Sequence, residues 1–169
     1  AVDSAQIAEY AYRYYDELKF WQPRRETLEK IKQALTMREH LTKQSVAIQN
    51  AIKAYQKHVV QDKLLFSIHQ QNLKQVKEHI AQIDEHIKQL IVESPSLHQL
   101  SQILISVCGV GVLLASYLLV MTNGFENSTN YKQFVAFLGI YPIKFESGKS
   151  VQRGAHCRPF GPSNVRKLL

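Results

Sequence analysis

No glycine and no proline occurs between Arg24 and Val92 of this 169-residue chain. The stretch is too long for an ordinary globular helix and too regular for a loop-rich fold, so it reads as two long helices folded into a coiled-coil hairpin. Cysteine is also scarce. Cys108 and Cys157 lack metal or redox spacing, which argues against a disulfide scaffold and fits reduced, cytosolic thiols. The one strongly apolar run, Leu100–Met121, is broken by Gln102 and by Gly109-Val110-Gly111, so it suits two short buried helices better than a membrane span. No signal peptide is visible, and Ala1 is not a natural start, as expected of a piece cut from a longer protein. Acidic residues nearly vanish late in the chain: residues 95–169 hold 7 basic and 2 acidic side chains, against 14 and 12 in residues 1–94. All of that late excess falls between Gly139 and Leu169. Such a tail favours a polyanionic partner, although solubility and membrane-surface readings also accommodate a net charge of +7.

What is present is mostly helical pattern. Ile7, Tyr10, Ala11, Tyr14 and Leu18 share a helical face over residues 4–19, and Pro23 suits the start of a new helix. Leu73, Val76, Ile80, Ile83, Ile87 and Leu90 alternate steps of three and four, the seam of a heptad repeat. Leu41, Ser45, Ile48, Ile52, Tyr55 and Val59 form a weaker facing seam, which Leu28, Ile31 and Leu35 begin off-register. A reversal within His58–Phe66 gives two antiparallel arms, each roughly 40–50 Å long; pairing with another copy is equally open. Ser94-Pro95 caps a helix over 95–107, a turn at Cys108–Gly111 leads into a second over 112–121, and a third over 129–138 turns Phe134, Val135, Phe137 and Leu138 inward before Gly139. Residues after Pro142 read as a glycine- and proline-rich basic loop, with a last helix from Ser163. The fold class is therefore mostly α. Its expected parts are a terminal helix in residues 1–22, a coiled-coil hairpin in 23–93, and a small helical domain in 94–169 with a helix-hairpin-helix-like unit and a basic loop.

Three features invite chemistry, each beside a plainer reading. Gly109 and Gly111 permit a tight turn and expose amides at the next helix N-terminus, where phosphate binds; a ligand-free helical hairpin has the same pattern. Ser147, beside Gly148 and among Lys149, Arg153, His156 and Arg158, has the setting of an activated hydroxyl; an ordinary basic turn looks alike. It is no phosphate-binding P-loop, because Ile143 stands where that motif needs glycine. Asp3 precedes an amphipathic helix and serves equally as a cap or, with carboxylates from elsewhere, a metal ligand. His40, His58, His69, His79 and His86 read as polar surface.

The order of these motifs resembles the transposases of the IS110/IS1111 insertion-sequence group, from the end of their RuvC-like domain through most of the C-terminal transposase domain. Asp3-Ser4-Ala5-Gln6-Ile7-Ala8-Glu9-Tyr10 is similar to the helix that follows the family's Asp-x-x-Asp motif. Cys108-Gly109-Val110-Gly111 is similar to its Pro-Gly-Val-Gly hairpin, with Cys for the usual proline. Phe125, Phe134, Phe137, Gly139, Pro142 and Ser147-Gly148, then Gly161, Val165, Arg166 and Leu169, follow in the family's order. The resemblance implies that Ser147 is a nucleophile joined covalently to DNA and that Asp3 is one carboxylate of a Mg²⁺ site. Its other ligands would lie upstream, so a fragment alone would hold no metal and be inactive. It further implies a composite centre between subunits, DNA and a structured element-encoded RNA as partners, a homo-oligomer formed through the coiled coil, and a bacterial or archaeal cytoplasm with no membrane. Lys144, Lys149, Arg153, His156, Arg158, Arg166 and Lys167, with Gly109 and Gly111, are the expected nucleic-acid contacts. The alternative is a non-catalytic nucleic-acid-binding and oligomerisation module.

Overall fold

A computed structural model describes residues 2–18, 23–126, 130–147, 151–157 and 161–168; for Val2, 143–147 and 151–156 the description is of the backbone. The protein is mostly α-helical. Its elements are α1 (Val2–Arg13) with a 3₁₀ turn at Tyr15–Glu17, α2 (Glu26–Tyr55), α3 (Lys63–Glu93), α4 (Pro95–Ile105), α5 (Val112–Met121), α6 (Tyr131–Leu138), β1 (Pro142–Ser147), β2 (Val151–Cys157) and α7 (Ser163–Arg166).

Helices α2 and α3 run antiparallel. Leu28, Ile31 and Leu35 near the start of α2 meet Ile87, Leu90 and Ile91 near the end of α3. Midway, the Arg38 guanidinium donates to both Asp84 oxygens, at 2.5 and 3.3 Å. At the far end Tyr55 stacks on Phe66, and its hydroxyl donates to the Asp62 carbonyl at 3.0 Å. Asp62 caps α3 by accepting from the Leu64 amide at 2.8 Å, so the reversal occupies residues 56–62. Burial between α2 and α3 is concentrated near Leu28–Leu35 and Ile87–Ile91. Val59 is fully exposed at the turn instead of continuing the seam.

The later helices close over the paired ends of α2 and α3. Helix α5 reads Val-Leu-Leu-Ala-Ser-Tyr-Leu-Leu-Val-Met, apolar on almost every side, as a helix enclosed by others must be. Leu119 and Val120 join the α2–α3–α4 core, while Leu114 and Leu118 pack with Leu138 and Val165 in a second one. Its buried Ser116 hydroxyl donates back to the Val112 carbonyl at 2.7 Å, so this oxygen is not stranded. Pro95 opens α4 after Ser94, and Gly139 ends α6 with φ 69°, both as the capping pattern predicts.

Several expectations are corrected. Residues 1–22 do not close a RuvC-like α/β domain: residues 2–18 form α1 and a 3₁₀ turn, and among the described residues strands occur only at β1 and β2, far from α1 in sequence. That two-stranded antiparallel ribbon cannot provide the multi-stranded sheet a RuvC-like centre requires. The basic segment read as a loop is this hairpin, with Pro142 opposite Cys157, Ser147 opposite Val151, and an irregularity between Ile143 and Phe145. Phe137 is 51% exposed rather than inward. With only eight residues, α6 turns Phe134 and Leu138 to the core and leaves Phe137 on its other flank.

Candidate nucleic-acid interface

The described site residues fall on α1, the turn before α5, the β1–β2 hairpin and the α7 segment. Asp3 lies exposed in the first turn of α1. Gly109 adopts φ 89° with open space around its Cβ position, and Gly111 caps α5 with no side-chain bond to the first-turn amides. Lys144 and Ser147 sit in β1, Arg153 and His156 in β2, with Arg153 opposite Phe145 and His156 opposite Ile143. The side chains of these four, and all of Lys149 and Arg158, lie outside the described residues. Arg166 ends α7 and donates to the Gly161 carbonyl at 3.2 Å, and Lys167 follows it, exposed. One hairpin thus carries Lys144, Arg153 and His156 together, whereas Asp3 belongs to a helix that contributes nothing to either core.

The reading of the chain as a catalytic fragment built on Ser147 and Asp3 is corrected on this geometry. Among the described residues no three His, Cys, Asp or Glu side chains gather where a metal ion would sit. A lone exposed carboxylate at Asp3 does not fit Mg²⁺, which needs several oxygen ligands in octahedral array. Among the described residues the only sheet is the β1–β2 ribbon, which is not the multi-stranded sheet that would hold others beside it.

A feature absent from the sequence reading lies where α2, α5 and α7 meet. Val165 is fully buried against Leu114, Leu118 and Leu138, which seats α7. The Asn164 amide then donates to Glu39 on α2 at 2.6 Å. Two adjoining chambers, ≈ 250 and ≈ 210 Å³, flank this bond, and Tyr117, Glu39 and Asn164 line both. Arg24 and Lys32 edge the first chamber; Arg38, Lys43 and Lys167 edge the second. The Lys43 ammonium, 2.9 Å from Glu39, holds that carboxyl below the usual carboxylate range, with Asn164 and the charge of Lys167 adding to the effect. Burial pushes the Tyr117 hydroxyl up, and the Glu39 charge reinforces this against Arg38 and Lys43. The one sequence signal for the groove was a tyrosine inside an otherwise apolar helix.

Comparison with known proteins bears on the C-terminal half most directly. Residues 101–169 match the model of the Transposase IS116/IS110/IS902 family. Two pilin gene-inverting proteins, from Moraxella lacunata and Moraxella bovis, are each 26% identical over 152 residues, covering 88% of this chain and 44% of the relative. The chain therefore spans less than half the length of these curated relatives. The matched residues 101–169 begin within α4 and run past α7, so the β-hairpin and the docked α7 both lie inside the similar region. Among the described residues no helix is long and apolar enough to cross a membrane.

Proposed function

We propose that this chain is a non-catalytic nucleic-acid-binding and oligomerisation module. The observation that carries the reading is the concentration of basic residues between Gly139 and Leu169, with Lys144 and Arg153 on the hairpin and Arg166 on the docked helix, inside the segment similar to transposases. Cations on a two-stranded ribbon reach phosphates without needing a pocket, and such contacts position a protein on DNA irrespective of sequence. The turn at Gly109–Gly111 would add amides at the start of α5, in the manner of a helix-hairpin-helix unit. The relatives' name, pilin gene-inverting protein, supports DNA as the partner, and a structured RNA would be a second ligand by its phosphates alone. Within a longer DNA-rearranging enzyme of the cytoplasm, the module's part would be holding and assembly.

Oligomerisation through the α2–α3 hairpin is supported by large apolar side chains left in water on its distal half: Val46, Leu64, Leu65 and Ile68. The test combines fluorescence anisotropy on a DNA duplex with sedimentation. Replacing Lys144, Arg153 and Arg158 by Gln is expected to weaken binding about tenfold or more at 0.1 M salt, because three phosphate contacts are lost. Leu64→Glu with Ile68→Glu is expected to shift the assembly to monomer. Unchanged affinity removes the hairpin from the interface, and a wild-type monomer removes the oligomerisation reading. A DNA adduct surviving a denaturing gel contradicts the non-catalytic assignment.

A further inference from the structure

We propose that the groove between α2, α5 and α7 is a seat for single-stranded nucleic acid, with a base against Tyr117 and the backbone phosphates along its cationic edges. The proposal rests on the nucleic-acid-binding reading above but concerns residues outside the hairpin. Three observations converge. The groove is mixed in chemistry: apolar walls from Leu35, Val120 and Leu113 surround the half-buried Tyr117 ring, which suits a flat aromatic partner. Its polar groups differ in exposure: Glu39 and Asn164 are half-buried and bonded to each other, while Arg24, Lys32, Lys43 and Lys167 are exposed, with Lys32 beside Glu29 at 3.1 Å and Lys43 beside Glu39 at 2.9 Å. Lys32 and Lys43 are 11 residues apart on α2, which is about 16 Å along the helix axis, enough for more than one nucleotide.

Size decides between strands and duplexes. Chambers of ≈ 250 and ≈ 210 Å³ are far too small for a double helix, but each accommodates one unstacked base. Stacking on an aromatic ring is tolerant of sequence, and adjacent lysines supply the backbone attraction that such binding sites share. Among the described residues Tyr117 has no hydrogen-bonded partner for its hydroxyl, and Lys167 has no carboxylate within 4.0 Å. Both are available to a ligand. The amide of Asn164 is committed to Glu39, so its place in the site is to hold α7, and with it Lys167, over the groove.

Anisotropy titrations of the full chain with a labelled oligothymidylate of about 20 nucleotides and a duplex of equal length test this, each over a range of salt. Lys32→Gln with Lys43→Gln, both exposed side chains on α2 and outside the basic segment 139–169, is expected to weaken oligothymidylate binding about tenfold. It should also make the slope of log K against log salt less negative by about 1.4, leaving duplex binding within about twofold. Tyr117→Leu should weaken the same single strand about tenfold, whereas Tyr117→Phe, which keeps the ring, should bind as wild type. If oligothymidylate affinity and slope are unchanged in the lysine pair, the groove is not the seat, whatever the hairpin does. Equal weakening of strand and duplex also overturns the proposal, because it leaves only general charge attraction. If wild type binds neither probe, the nucleic-acid reading of the whole chain falls, and this proposal with it.

Discussion

Replacing Gly161 by alanine should cost far more than its surface position suggests. Gly161 turns the chain from the hairpin into α7 with φ 88°, a conformation that L residues occupy at about 1–2 kcal/mol. A Cβ there would lie 2.4 Å from the Phe137 carbonyl oxygen and 3.0–3.1 Å from the Leu138 carbonyl group, all backbone of the α6 terminus. Backbone cannot rotate aside as a side chain does, so relief requires α7 to retreat by about 1 Å or more. That retreat pulls Val165 from its seat, where full burial of such a side chain is worth about 1.5–3 kcal/mol. The sum of strain and lost packing is about 2.5–5 kcal/mol. Gly109→Ala is the matched control: it carries the same left-handed strain with nothing within 4 Å, so it should cost only about 1–2 kcal/mol. Urea denaturation gives both values, and hydrogen exchange at the Arg166 and Lys167 amides, bonded to Pro162 and Ser163 carbonyls, reports whether α7 has released. Equal destabilisation by the two substitutions, with unchanged exchange in α7, would refute the docking described for this helix.

Two further outcomes follow from the α2 contacts. The forked Arg38–Asp84 pair, partly shielded between α2 and α3, should show a coupling of about 1 kcal/mol in a double-mutant cycle with Met and Asn, above that of exposed pairs four residues apart. A coupling near zero would mean the pair is incidental. Glu39 is held below its ordinary range in the folded protein, so its contribution is present above the unfolded carboxylate value of about 4.3 and disappears as pH falls through the folded value. Protection of the α7 amides should accordingly drop below that pH. Glu39→Gln should lose this acid dependence, and an identical pH profile in that variant would contradict it.

The helical frame was legible because its signals are local. Thirty residues without a breaker, a three-four seam ending at Leu90, and Ser94-Pro95 all act within a few turns, and Gly139 caps where its type predicts. The hairpin was not legible. Gly148, Gly154 and Pro142 are loop residues by type, and a short ribbon with an irregularity near Lys144 has little alternation to detect. The resemblance to a catalytic family implied a centre shared between subunits for Asp3 and Ser147, a placement on which sequence order within one chain carries no distance. The groove was illegible for a related reason. Glu39, Tyr117 and Asn164 come from three distant segments, each unremarkable alone, and only the packing of Val165 against α5 brings them together.

The measurement that bears most directly on the account is the salt dependence of binding to a DNA duplex. Six basic side chains lie between Gly139 and Leu169, which limits their share of the slope of log K against log salt to about −5 for B-form DNA. A slope steeper than about −3, falling toward zero when those six are neutralised, is the result expected. A flat salt profile, or a slope unchanged by the neutralisation, would show that the basic C-terminal segment is not the nucleic-acid surface.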